Sequence, residues 1–192
     1  MSPLEIVAVL CSAAGVWLTA LRKPLCWPVS LVAVLLYAKV FYDAKLYSDL
    51  LLQGCFAVMI LYGWDNWRRG ARADDGMVAV GRVSFHDWVI GLAAGSVGTI
   101  LLGFLMARFT DAAVPWLDAA LTSFSLVSQY WTARRWLETW WLWIAVDVIY
   151  TGLFLYKELY LTAVLYALFV GLAVRGLLSW NEGRGATVLS GS

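Results

Sequence analysis

Residues 18–67, "LTALRKPLCWPVSLVAVLLYAKVFYDAKLYSDLLLQGCFAVMILYGWDNW", lie over residues 131–180, "WTARRWLETWWLWIAVDVIYTGLFLYKELYLTAVLYALFVGLAVRGLLSW", without a gap at an offset of 113. Twelve of the fifty positions are identical: Thr19/Thr132, Ala20/Ala133, Arg22/Arg135, Trp27/Trp140, Tyr37/Tyr150, Phe41/Phe154, Leu46/Leu159, Tyr47/Tyr160, Leu52/Leu165, Phe56/Phe169, Gly63/Gly176 and Trp67/Trp180. Shared composition would match some leucines, but hardly the Trp, Tyr, Arg and Gly pairs in one register. The chain carries a duplicated unit.

The class of that unit follows from composition. Of 192 residues, 62% are hydrophobic and 14% charged, against about 45–50% and about 25% in soluble domains. The apolar residues come in blocks rather than amphipathic stripes, and a membrane-crossing helix needs about 20 mostly apolar residues. Seven blocks qualify: Leu4–Leu21, Trp27–Tyr42, Leu46–Trp64, Trp88–Met106, Pro115–Ala133, Trp140–Tyr156 and Leu159–Leu178. Trp and Tyr stand near many of their ends, as side chains that favour the membrane boundary do. Spanning strands would be about half as long and would alternate. The expected fold class is an all-α integral membrane protein with seven transmembrane helices.

Each copy of the repeat holds three blocks, and the fourth block joins them. Three spans invert the chain, and the joining helix restores the second copy to the orientation of the first. Two parallel three-helix repeats about an axis along the membrane normal result, a 3+1+3 arrangement. The expected divisions are 4–67 for the first repeat, 68–108 for a cytoplasmic linker and connecting helix, 115–180 for the second repeat, and 181–192 for a disordered tail. Transporters use such repeats and place substrate near mid-membrane where the halves meet.

Charge sets the orientation. Arg22, Lys23, Arg68, Arg69, Arg72, Arg82, Arg134, Arg135, Arg175 and Arg184 fall on one face, and Lys45, Arg108 and Lys157 on the other. Excess Lys and Arg marks the cytoplasmic side, so the amino terminus is expected outside and the carboxyl terminus in the cytoplasm. The amino terminus lacks the basic segment of a signal peptide, so the first span is expected to be retained. Cys11, Cys26 and Cys55 read as small buried apolar residues, with neither metal nor cofactor implied. The net charge of +1 gives no reason to expect a nucleic-acid partner. The expected partners are the lipid bilayer and a small-molecule substrate, with a homo-oligomer left open.

Here the residues also carry a resemblance. "RKPLCWPVSLVAVLLYAKVFYDAKLYSDLLLQGCFAVMILYGWDNW" resembles the first half of the PnuC family of bacterial vitamin transporters. It shares the basic pair before a Trp, the Lys–x–Phe at 39–41, the run ending at Gln53, and "YGWDNW". "ETWWLWIAVDVIYTGLFLYKELYLTAVLYALFVGLAVRGLLSW" is similar to the second half. The resemblance implies the fold of the SWEET sugar transporters, residence in the bacterial inner membrane, and facilitated diffusion of nicotinamide riboside or a related vitamin. It further implies trapping of the substrate by phosphorylation in the cytoplasm. The SWEET Pro–Gln motif is absent, which argues against sugar.

One carboxylate, Asp147, lies in mid-block. Ionisable groups at that depth cost about 2.5–3.5 kcal/mol on insertion scales and face a cavity or a partner. Asp147 follows Trp143 by four residues and Trp140 by seven, so all three share a helix face. Indole faces attract cations, with contacts worth about 0.5–2 kcal/mol. Such a face suits the flat pyridinium of nicotinamide riboside, and equally thiamine. The competing reading pairs Asp147 with Lys39, itself a candidate to pair with Asp49 or to reach the interface.

By resemblance Gln53 is a substrate contact, and its amide suits ribose hydroxyls. Gln129 shares a face with Ser125 and belongs either to the site or to interhelical packing. Tyr37 and Tyr150, paired by the repeat, would flank a cavity, and Tyr166 occupies the repeat position of Gln53. Trp27, beside Pro28 at a helix start, reads as an interface anchor, and His86 as a solvated boundary residue. No hydrolase, metalloprotease or phosphate-loop motif is present, so an enzyme is not expected. The alternatives to nicotinamide riboside are thiamine or riboflavin on the same fold, and a small channel.

Overall fold

The computed structural model describes residues 3–43, 47–70, 77–110, 114–156, 158 and 160–190. The described residues form seven helices: α1 (Pro3–Ala20), α2 (Cys26–Asp43), α3 (Tyr47–Arg69), α4 (Phe85–Phe109), α5 (Pro115–Ala133), α6 (Thr139–Tyr156) and α7 (Tyr160–Ser190). The fold is all-α. Five helices are long and apolar enough to cross a membrane: α1, α2, α4, α6 and the Thr162–Gly183 part of α7.

The two that fall short do so for physical reasons. α3 ends in the polar run Asp65, Asn66, Arg68, Arg69. α5 carries Ser123, Ser125, Ser128 and Thr132 on buried positions and is packed by α4, α6 and α3. A helix wrapped by protein needs less apolar surface than one wrapped by lipid. α4 approaches α5 closely because Gly91, Gly95 and Gly103 lie under the rings of Trp131, Phe124 and Trp116.

Helix contacts recur along the repeat. α1 packs on α2 as α5 packs on α6, α2 on α3 as α6 on α7, and α1 meets α7 as α5 meets α3. The turns recur as well. α1 closes with Arg22 N–H bonded to the Thr19 carbonyl at 2.9 Å and Lys23 N–H to that of Leu18 at 3.0 Å. α5 closes with Arg135 N–H on Thr132 at 3.0 Å and Trp136 N–H on Trp131 at 3.1 Å. Both are Schellman endings, and the left-handed residue is an arginine in each, at φ 57° and 63°. Glycine is the usual occupant there.

Each arginine reaches a glycine of the other repeat. The Arg22 guanidinium lies against Gly183 and that of Arg135 against Gly70, again 113 residues apart. Beside them the Trp67 indole N–H donates to the Thr132 carbonyl and the Trp180 indole N–H to that of Thr19, both at 3.0 Å. Trp27 meets Trp67 edge-on at 5.4 Å, Trp140 meets Trp180 at 5.3 Å, and Trp67 touches Trp180 at 6.0 Å. Four indoles thus close the arginine-bearing end of the bundle. All four are at most 2% exposed, which overturns the reading of Trp27 as an interface anchor. Its ring is seated on Gly63, where any Cβ would collide with it, so the helix start is drawn into the core.

Two further expectations change. The helix of α7 continues to Ser190, across residues expected from composition to form a disordered tail. Of the expected linker, residues 71–76 lie outside the described residues, and 77–83 form a strap across the indole end. Val78 N–H reaches the Arg22 carbonyl at 3.3 Å, and Gly81 exchanges hydrogen bonds with Arg135 and Leu137 at 2.9 and 3.0 Å. The strap then hands over to α4, whose first turn is capped by Ser84 accepting from Asp87 N–H at 3.1 Å.

Gly176 tests this packing. A methyl group there meets the Trp140 ring, whereas one at Gly171 meets nothing. Alanine is favoured over glycine in a helix by about 1 kcal/mol, but overpacking costs about 1–3 kcal/mol. Gly176→Ala is therefore expected to lower the Tm of the purified protein, Gly171→Ala to leave it level or raise it, and Trp140→Leu to restore the loss in the double variant. A Tm for Gly176→Ala at or above that of Gly171→Ala would count against the seating of the ring.

Candidate functional site

Between the halves, above the indole layer, lies a cavity of about 380 Å³. Every helix except α4 contributes. α1 gives Ser12, Val16 and Thr19, α5 gives Ser125, Gln129 and Thr132, and α6 gives Trp140, Trp143, Asp147 and Tyr150. α7 gives Tyr166, Phe169 and Ala173, α3 gives Leu52, Gln53 and Phe56, and α2 gives Trp27, Ser30 and Phe41. The spacings of three, four and seven on α1, α5, α6 and α7 are those of one helix face. Small-molecule sites are typically cavities of about 300–1,000 Å³ with apolar walls and few polar groups.

Most of the wall obeys the repeat. Ser12 answers Ser125, Thr19 answers Thr132, Trp27 answers Trp140, and Phe56 answers Phe169. The chemistry lies where the repeat breaks. Val16 stands opposite Gln129, Ser30 opposite Trp143, Gln53 opposite Tyr166, and Asp147 corresponds to Val34. The second half thereby supplies an amide, an indole, a phenol and the acid, and the first half supplies the Gln53 amide and the Ser30 hydroxyl.

Asp147 is 6% exposed, and among the described residues no cation lies within salt-bridge distance of it. Lys39 does not pair with it. The Lys39 ammonium bonds to Asp43 one turn along α2, at 2.6 Å to Oδ2, on the exposed surface. That end of α2 lies near a boundary where both charges stay wet, so bringing Lys39 inward would strip two hydrated groups. The Asp49 side chain lies outside the described residues.

Trp143 is held by a buried hydroxyl network. Its indole N–H donates to Thr132 Oγ1 at 3.2 Å. Thr132 and Thr139 lie 2.8 Å apart and share the Ser128 carbonyl as acceptor, at 2.9 and 2.7 Å. The ring is thus anchored through its N–H by Thr132, which itself lines the cavity. Further along the same face of α6, Tyr150 packs on Tyr166 at 4.8 Å and on Phe154 at 5.8 Å. In the floor the indole N–H groups of Trp27 and Trp140 are buried and have no acceptor among the described residues. Buried donors left unpaired carry a cost that an acceptor reaching them would relieve.

Of the sequence candidates, Gln53, Gln129, Trp140, Trp143, Asp147, Tyr150 and Tyr166 line this one cavity. Tyr37 is not among the lining residues; it stacks on Phe41 at 6.1 Å, and Phe41 takes the place at the wall. Thr19, Thr132 and Phe56 are not among the sequence candidates, and Trp27, expected as an interface anchor, also lines the wall. Each was visible as a repeat identity, but identity alone did not separate lining from packing. His86 is exposed at the start of α4. No group of His, Cys, Asp and Glu able to hold a metal occurs among the described residues.

Comparison with known proteins bears on this architecture. The riboflavin/roseoflavin transporter RibM of Streptomyces davaonensis is 28% identical over 156 residues, covering 80% of this chain and 73% of that protein. The nicotinamide riboside transporter PnuC of Escherichia coli is 24% identical over 217 aligned positions, covering 99% of this chain and 91% of its own length. PnuC of Neisseria mucosa is 29% identical and covers 79% of this chain. The crystal structure of the vitamin B3 transporter PnuC superposes with a TM-score of 0.77 at 25% identity, over 95% of this chain and 82% of that one. The model of the family described as nicotinamide mononucleotide transporter matches residues 2–182, and the chain belongs to that family of membrane transporters.

Proposed function

We propose that the chain carries nicotinamide riboside across the bacterial inner membrane by facilitated diffusion. The observation that carries this reading is the cavity acid, Asp147, buried among Trp140, Trp143 and Tyr150 with no cation of the described residues in salt-bridge reach. A buried carboxylate without a partner is costly unless a ligand supplies the charge. A pyridinium stacked on Trp143 would supply it, and the attraction of indole faces for cations adds to the carboxylate's. The ribose hydroxyls then have Gln53 and Gln129 as partners.

We read the architecture as two parallel three-helix repeats joined by α4, with seven spans, the amino terminus outside and the indole layer at the cytoplasmic end. The recurrence of helix pairings, Schellman arginines and indole contacts at an offset of 113 supports it. So does the arginine excess at the ends of α1, α3, α5 and α7. Transport on this reading is a rocking of the two repeats that opens the indole layer. Phosphorylation in the cytoplasm would hold the substrate inside, since a phosphate would meet Asp147 with like charge.

Thiamine is also a flat cation and is the strongest competing substrate. Riboflavin brings a larger neutral ring with no charge to set against Asp147, although a riboflavin transporter is among the relatives. The small-channel reading is disfavoured by the four packed indoles, which leave no continuous polar path through that end.

Proteoliposomes loaded with unlabelled vitamin decide among these. Counterflow of labelled nicotinamide riboside is expected, with thiamine as the better competitor and riboflavin the weaker. Asp147→Asn should reduce uptake of the cation by about tenfold or more, as loss of a charge-assisted contact does, and Gln53→Ala by less. Wild-type rates in both variants would sink the site, and ion flux without counterflow would favour a channel.

Thr132→Val separates orientation from charge. It removes the acceptor of the Trp143 N–H while leaving the acid in place. The KM for nicotinamide riboside should rise several-fold with Tm lowered, because one buried donor loses its partner at about 1–3 kcal/mol. An unchanged KM would show that Trp143 needs no such anchor.

A further inference from the structure

The search outside the transport cavity leads to a second pocket, of about 390 Å³, at the arginine-bearing end. It is lined by Asn66 of α3, by residues 79–81 of the strap, and by Arg134, Arg135 and Trp136 between α5 and α6. We propose that it binds a phosphate-class oxyanion, supplied either by a free phosphate compound or by the headgroup of an anionic lipid.

Charge balance carries the proposal. Among the described residues the neighbouring acids are engaged: Glu138 accepts from Val83 N–H at 2.9 Å and faces Arg82, and Asp87 accepts from Ser84 at 2.6 Å. Arg134 lies over the Trp136 ring at 5.2 Å and has Tyr62 as a hydrogen-bond partner. Asn66 donates to the Ala133 carbonyl at 2.6 Å. Within that set Arg135 is left over, with its Nη1 buried and without an acceptor among the described residues. Burial, and then the adjacent Arg134, hold its guanidinium below the usual arginine range.

An arginine that only marked topology would extend to water. This one is turned inward across Gly70, from a strained left-handed residue, toward the junction of the two repeats. Two guanidinium groups in one polar pocket suit the several acceptors of a phosphate. An anion seated there would touch α3 of one half and the α5–α6 turn of the other. It would tie the halves together at the end that has to open, so occupancy should slow transport. The site is separate from the vitamin cavity, and Tm, its main readout, does not need the substrate to be known.

The test uses the full chain in uncharged detergent, with inorganic phosphate titrated against chloride at constant ionic strength and Tm as the readout. If free phosphate is the ligand, Tm rises and saturates. Arg135→Gln should need about tenfold more phosphate for the same shift, and Arg134→Gln should move the same way. Arg175→Gln, which alters an arginine resting over Trp17, should respond as wild type. The second arm compares phosphatidylcholine vesicles with and without phosphatidylglycerol, in phosphate-free buffer, reading Tm and vitamin uptake. If the headgroup is the ligand, only phosphatidylglycerol shifts them, and the shift falls in the same two variants. Should Arg135→Gln fail to fold, the exposed Arg134→Gln decides alone. No response to either source, or a response in Arg134→Gln and Arg135→Gln equal to wild type, overturns the proposal.

Discussion

The reciprocal tie between the repeats is what the rest of the structure hangs on. Trp67 on α3 donates to the last turn of α5, and Trp180 on α7 donates to the last turn of α1, each at 3.0 Å. These carbonyls belong to helix ends, where four acceptors go unfilled inside the helix. The Schellman N–H groups of Arg135 and Arg22 already bond to them at 3.0 and 2.9 Å, and the indole of the other half takes the second lone pair. Each half therefore adds a second hydrogen bond to a helix end of the other, and the Schellman arginines, reaching across to Gly70 and Gly183, repeat the exchange one layer further out.

A frame built twice from one pattern would place like groups opposite like groups. A binding site needs the reverse. The substitutions that break the repeat gather at one level: Gln129 against Val16, Trp143 against Ser30, Asp147 against Val34 and Gln53 against Tyr166. The equivalences below them, Thr19 with Thr132 and Trp27 with Trp140, keep the floor even-handed. On the proposed reading the symmetric layer serves closure and the asymmetric layer serves recognition. A ligand would enter in one orientation because only one wall bears the acid. The network is repeated in part, since Thr19 donates to the Gly15 carbonyl at 2.8 Å as Thr132 does to that of Ser128, but Ser30 brings no indole N–H to be held, and that difference also follows the break.

Much of this was legible in the sequence, because the offset of 113 pairs residues by chemistry as well as by identity. It paired Gly63 with Gly176 and Trp27 with Trp140, and the structure seats each of these tryptophans on the glycine of its own repeat. The face shared by Trp140, Trp143 and Asp147 followed from helical spacing alone. Long-range partners were not legible. Lys39 could be paired with any acid of suitable depth, and the choice of Asp43 depended on how far α2 extends toward water. Trp27 was misplaced because a Trp beside Pro at a span end is ambiguous between interface and core, and only the glycine across from it decides. The tail read as disordered from its polar composition, yet helix propagates easily from an existing end, and α7 runs on to Ser190.

The same economy bears on how the two ends could exchange access. On the proposed rocking, opening the indole layer would break the Trp67 and Trp180 bonds and leave the two carbonyls with only their Schellman partners. Water entering from the arginine-bearing end could take the places of the indoles, because the turns at Arg22 and Arg135 stand next to the exposed Lys23 and Arg134. The strap bears on this motion, since Val78 is bonded to the Arg22 turn and Gly81 to the Arg135 turn. On the same reading the strap would have to follow one half and release the other, so it couples the separation of the repeats to the breaking of its own backbone bonds.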